Sequence, residues 1–146
     1  MRSRTVRDVL QSKGYEMYAV RSDEPVLRAL REMADRNIGA LLVIDRGALV
    51  GVITERDSAR KLDIVGRSAH SALVGEIMER QVTTVGSDQT IDECLRLMTE
   101  LRVRHLPVVD DVLVGLISIG DVGKALITEQ ERLIDDLTGF ITGSPR

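Results

Sequence analysis

GVITERD, from Gly51 to Asp57, returns later in the chain as GLISIGD, from Gly115 to Asp121. Each stretch leaves a glycine, passes through apolar residues suited to a buried strand, and ends in Thr or Ser with a carboxylate three positions on. That is the pattern of a strand feeding a capped helix. The hydroxyl of Thr54 or Ser118 accepts from the backbone N–H three residues ahead, and Asp57 or Asp121 reaches back to the cap's own N–H. Capping alone accounts for the residue types. The same geometry also aims free N–H groups and the positive end of a helix dipole at whatever lies above the strand, which suits an anionic group such as phosphate.

Outward from Gly51, the run ALLVID (Ala40 to Asp45) is continuous and rich in branched residues, so it reads as a buried strand. Arg46 and Gly47 turn it back into LVGVIT, a hairpin, and ERDSARKL begins a helix. Upstream, Ser22, Asp23 and Pro25 start an amphipathic helix that ends around Asn37, with Val26, Ala29, Leu30 and Met33 on one face. A first strand is expected near Tyr15 to Val20. Before it, TVRDVLQSK (Thr5 to Lys13) reads as a short helix with Val6, Val9 and Leu10 on one side, closed by Gly14.

Sliding the chain along itself by about 65 residues superposes these features, a period long enough for a whole supersecondary unit. Ser87 and Asp88 fall on Ser22 and Asp23, Leu95 and Met98 on Leu30 and Met33, and Leu106, Val108 and Asp110 on Leu41, Val43 and Asp45. The chain is thus two copies of a β-α-β-β-α unit, a mixed α/β fold of the α+β sandwich kind. A lone copy of roughly 60 residues leaves one sheet face open, so the copies are expected to pack with pseudo-twofold symmetry. The boundaries expected are 1–65 for the first repeat with its N-terminal helix, 66–73 for a linker, 74–127 for the second repeat, and 128–146 for a C-terminal helix and tail. In that last helix Ile127, Leu133, Ile134 and Leu137 form a surplus apolar side that needs a partner.

Composition excludes several functions. The 146 residues, 43% hydrophobic and 29% charged, fit one compact domain with a sizeable core. Aromatics at 2% with no Trp leave little material for stacking on nucleic-acid bases, and a net charge of -3 gives no general attraction to DNA or anionic membrane. The single cysteine, Cys94, falls among Ile91, Leu95 and Met98 and reads as a core residue. His70 and His105 lie far apart, without Cys or carboxylate at ligand spacing, so no metal site is expected. No apolar run is long enough to span a membrane, and the basic MRSRTVR start lacks a signal-peptide core. It reads as a solvated first turn or the remnant of a transit sequence, with cytoplasmic location by default.

The duplicated unit, LPVVDD at Leu106 to Asp111, and the two glycine-led ends resemble a tandem pair of CBS (cystathionine beta-synthase) domains, a Bateman module, over roughly Thr5 to Leu126. The tail is similar to the C-terminal helix of small stand-alone members. The resemblance implies a regulatory protein, not an enzyme. It would be a homodimer taking an adenosyl ligand (AMP, ADP, ATP, NAD(H) or S-adenosylmethionine) in clefts between the copies and modulating a separate partner. It also implies that Asp57 and Asp121 hold ribose hydroxyls, that Thr54 and Ser118 bond ribose or phosphate, and that Met17, Tyr18, Val82 and Thr83 line a base pocket.

The two copies differ in charge. Arg56, with Arg60 and Lys61 a turn later, stands in the first, while the second has Gly120 there but carries Arg102, Arg104 and His105 before its LPVV strand. Arg56 with Arg104 or His105 would surround one phosphate chain, giving one dominant site instead of two equal ones. The competing readings are a constitutive dimeric interaction scaffold, in which the caps are only caps, and an enzyme, for which no nucleophile with an oriented base is found. Saturable binding of an adenosyl ligand separates sensor from scaffold.

Overall fold

A computed structural model describes residues 4–142, with side chains as far as Thr138. The elements in order are α1 (Val6–Lys13), β1 (Ala19–Val20), α2 (Val26–Arg36), β2 (Ala40–Asp45), β3 (Ala48–Thr54), α3 (Glu55–Val65), α4 (Val74–Ile77), α5 (Ile91–Leu101), β4 (His105–Val109), β5 (Leu113–Ser118) and α6 (Ile119–Thr142). Residues 143–146 of the expected tail, and residues 1–3 of the basic start, lie outside the described residues. Among the described residues no helix is long and apolar enough to cross a membrane.

The contacts divide the chain into two compact units instead of the one domain that composition suggested. One holds residues 16–83, the other residues 4–15 together with 84–142. Sequence repeat and compact unit are therefore different things. α1, grouped by sequence with the first repeat, packs in the unit of β4 and β5, and α4, which opens the second repeat, packs in the unit of β2 and β3.

In the unit of residues 16–83, β2 and β3 pair antiparallel from Ala40↔Thr54 to Asp45↔Ala48, and β1 joins β2 in parallel through Ala19↔Leu42 and Val20↔Val43. The hairpin turn needs left-handed backbone at both central residues, which Arg46 (φ 50) and Gly47 (φ 78) supply. α2 lays Val26, Ala29 and Met33 onto Leu41, Val43 and Ile53, and Val74, Ile77 and Met78 complete the cluster. It ends at Asn37, whose left-handed conformation (φ 55) closes the last turn.

The second unit repeats this with local changes. β4 and β5 pair antiparallel from His105↔Ser118 to Val109↔Leu113. Each hairpin slips register at the matching place, between Val43 and Ile44 in one and between Val108 and Val109 in the other. The first strand expected over Tyr15 to Val20 shrinks to two residues in one unit, and its counterpart is a single parallel bridge, Val85↔Val108, in the other. Tyr15 and Met17 are exposed, so burial rewards pairing only at the strand's end. Matching serines hold matching acids: Ser22 donates through N–H and Oγ to Asp45 (3.0 and 2.5 Å), and Ser87 does the same to Asp110 (2.9 and 2.5 Å).

α1 shows why the packing takes this form. An eight-residue helix does not persist alone in water. Val6, Val9 and Leu10 are almost fully buried against Ile91, Met98, Leu106 and Ile117, each burial stabilising by roughly 1.5–3 kcal/mol. Gly115 makes room: a Cβ there would meet Leu10 Cδ2 at 2.8 Å. Gly51 does the same for α4's extension, where a Cβ would meet Met78 Sδ at 2.7 Å and the Glu79 carbonyl oxygen at 2.8 Å. Cys94 belongs to the core as expected, and burial pushes its thiol up to about 11, leaving no thiolate for nucleophilic work at neutral pH.

Candidate functional site

Each hairpin delivers its hydroxyl residue to the start of a helix, and the two ends, or lips, are built alike. Thr54 caps α3 from extended backbone (φ -115, ψ 153), and its Oγ1 accepts the Asp57 N–H at 3.0 Å. Ser118 Oγ accepts the Asp121 N–H at 3.1 Å. The first helical N–H of each is taken by the residue before the paired strand: Glu55 donates to the Gly39 carbonyl (3.1 Å) and Ile119 to the Arg104 carbonyl (2.8 Å). Register then sets Ala40 opposite Thr54 and His105 opposite Ser118.

The carboxylates part company. Asp121 Oδ2 accepts the Ser118 N–H at 2.8 Å, closing the reciprocal cap, and also takes the Lys13 ammonium at 2.8 Å. Lys13 is the last residue of α1, and its Nζ donates a second bond, 2.8 Å, to the Leu116 carbonyl. The Asp121 side chain is only 19% exposed. Burial pushes its carboxyl up, but the Lys13 ammonium and the Ser118 N–H outweigh that and hold it below the ordinary carboxylate value.

Asp57 makes no such contacts. Among the described residues its half-buried carboxylate has no hydrogen bond or ion pair, so the reach-back arm expected of it is not formed. The residues before and after it matter for what that carboxylate can do. Arg56 is exposed and likewise unpaired among the described residues. Ser58 is fully buried and donates to the Thr54 carbonyl at 2.7 Å, pinning the first turn of α3. A carboxylate with open lone pairs, a capping hydroxyl and a guanidinium on one helical turn can accept two neighbouring hydroxyls and meet a phosphate.

The structure therefore groups Thr54, Arg56 and Asp57 at one lip, and Ser118, Asp121, Arg104 and His105 at the other. Tyr18 stands at the end of the sheet where Ala40 and Thr54 pair, its carbonyl taking the Leu42 N–H at 3.1 Å. Its ring is already occupied: the Arg36 guanidinium lies 3.9 Å over its centroid and its hydroxyl donates to Glu16 at 2.8 Å. Thr83 is half-buried in coil, and no hydrogen bond among the described residues ties it to either lip. Sequence reasoning missed Lys13. Its only local signal is a basic residue in a helix's last turn, which reads as dipole compensation, whereas its partner lies 108 positions away. Among the described residues no cluster of three His, Cys, Asp or Glu side chains could hold a metal ion.

With this geometry in hand, a family model described as CBS domain matches residues 6–57 and again 74–128. The chain is 38% identical over 151 residues to the mitochondrial CBS domain-containing protein CBSX3 of Arabidopsis thaliana, covering 97% of this chain and 73% of that protein. Among solved structures, a protein with CBS domains from Burkholderia ambifaria superposes with a TM-score of 0.83 at 46% identity, over 86% of this chain and 96% of that one. The CBS domain pair of protein MJ0100, in complex with 5′-methylthioadenosine and S-adenosyl-L-methionine, gives 0.77 at 27% identity, over 88% of this chain and 99% of that one.

Proposed function

For this chain, which belongs to the CBS domain family and carries a tandem pair of its repeats, we propose a regulatory role: it binds an adenosyl ligand and thereby changes how a separate partner protein is held. The observation that carries this reading is the Asp57 carboxylate, half-buried and without a partner among the described residues, on the same helical turn as the Thr54 cap. Leaving an acid unsatisfied at a helix start gives up a stabilising contact that Asp121 makes in the same motif. A ribose diol supplies the two donors it lacks. The Thr54 hydroxyl and the Arg56 N–H, the first-turn donor taken by neither the Gly39 carbonyl nor the Thr54 cap, face the ribose or an adjoining phosphate, and the Arg56 guanidinium neutralises that phosphate. AMP, ADP, ATP, NAD(H) and S-adenosylmethionine all carry the ribose. The complex of the MJ0100 pair with 5′-methylthioadenosine and S-adenosyl-L-methionine supports this choice of ligand class.

Ligand binding regulates only if it favours one packing of the protein over another. A second reading, a homodimeric scaffold working without ligand, is favoured by α6, where Ile127, Ile134 and Leu137 are each more than half exposed and Leu133 is 43% exposed. Thermal unfolding with AMP, ATP, NAD, NADH and S-adenosylmethionine separates the two. A ligand at a hundred times its dissociation constant stabilises the native state by about 2.7 kcal/mol, a plain rise in Tm. No rise with any of the five at millimolar concentration leaves the scaffold.

A further inference from the structure

We propose that Lys13 is a specificity-determining residue that withholds the Ser118–Asp121 lip from ligand, so that the chain loads its adenosyl ligand at the Thr54–Asp57 lip alone. The inference rests on the proposed function and deepens it.

A carboxylate reads a ribose diol by accepting from both hydroxyls, and it needs its lone pairs open to do so. At Asp121, Oδ2 already accepts from the Ser118 N–H and from the Lys13 ammonium, each at 2.8 Å. The ammonium is not loosely placed, because the Leu116 carbonyl holds it from another side at 2.8 Å. Both bonds fall on Oδ2, so a diol that engages both oxygens of Asp121 must displace a charge-assisted bond, stronger than the neutral hydroxyl bond that replaces it. At Asp57 there is nothing to displace among the described residues.

The difference comes from the helix packed beside each hairpin. Leu10 of α1 fills the space over Gly115 as Met78 fills that over Gly51, and Asp8 closes a cap on Thr5 as Glu76 does on Leu73. In that register Lys13 corresponds to Gln81, which is neutral. α1 stays helical through Lys13, carrying its ammonium to the lip, while after α4 the chain turns extended and Glu79 pairs with Val52.

The test is calorimetric titration of the full chain with AMP and with S-adenosylmethionine, in wild type, Lys13→Gln, Lys13→Met and Lys13→Arg, each shown by its melt to be folded. The two neutral variants guard against one failing to fold. The wild type and Lys13→Arg, which keeps the charge, are expected to take about one ligand per chain, and the neutral variants about two, the second bound roughly tenfold more tightly than any residual second site of the wild type. Binding by the wild type with unchanged stoichiometry and affinity in both neutral variants overturns the role of Lys13 while leaving the proposed function standing. Two equal sites in the wild type overturn it as well. No binding by any form overturns the proposed function and this inference with it.

Discussion

The Thr54–Asp57 and Ser118–Asp121 lips share a motif, a hairpin register and a helix cap, yet one acid is engaged by its own protein through Oδ2 and the other is not. The motif therefore locates the acids without saying whether they are available. Availability is set by the helix that each hairpin borrows from elsewhere in the chain. α1 ends in a lysine that reaches Asp121, and α4 gives way to an extended segment with no cation in the matching place. Duplication thus yields two equal scaffolds whose acids are unequally engaged.

The comparison breaks most severely at the glycines that admit those helices. A Cβ on Gly51 meets the Glu79 backbone oxygen at 2.8 Å as well as Met78 Sδ, while the three atoms nearest to one on Gly115 are the methyl ends and branch carbon of Leu10. A backbone atom held in a bridge to Val52 yields less readily than a side-chain terminus. Gly51→Ala is expected to cost about 3 kcal/mol of stability and Gly115→Ala about 1 kcal/mol, read from denaturant midpoints. Equal losses would mean that the two borrowed segments are seated alike.

A smaller effect sharpens the comparison at the acids themselves. Asp121→Ala removes both the Ser118 and Lys13 bonds and is expected to cost about 1 kcal/mol at neutral pH, whereas Asp57→Ala leaves the Thr54 cap in place and costs about 0.3 kcal/mol or less. Because the Asp121 carboxyl is held below its ordinary value, its contribution is fully present above the unfolded-state value, about 3.9, and is lost as pH falls through the lower folded-state value. The gap between wild type and Asp121→Ala therefore closes on acidification below about pH 4. A gap that persists at pH 2 would assign the loss to packing.

Much of this was legible in the sequence for reasons that are local. Continuous branched runs marked β2 and β3, the Arg46–Gly47 pair marked the hairpin, and the spacing of Val26, Ala29 and Met33 marked the buried side of α2. The apolar side of α6 was legible too, and Ile127, Leu133, Ile134 and Leu137 are exposed, so the body of the chain does not cover the side that was expected to need a partner. The strand expected near Tyr15 to Val20 forms only over Ala19–Val20, because Tyr15 and Met17 are apolar side chains that the fold leaves in solvent. What the sequence withheld is partnership at long range. Val6, Val9 and Leu10 announce an apolar face, but nothing in their spacing says that it packs against Leu106 and Ile117 and not within the neighbouring repeat. The Lys13–Asp121 pair was hidden for the same reason, and with it the inequality of the lips.

The most direct trial of the central claim, that the open acid at Asp57 reads a ribose, is calorimetric titration of AMP and 2′-deoxy-AMP into wild type and Asp57→Ala. The wild type is expected to favour AMP by about tenfold or more and the variant to lose both the affinity and the preference, since a ribose without its 2′-hydroxyl forfeits one charge-assisted bond to the carboxylate. Equal affinity of the wild type for the two nucleotides, or an undiminished preference in Asp57→Ala, would contradict it.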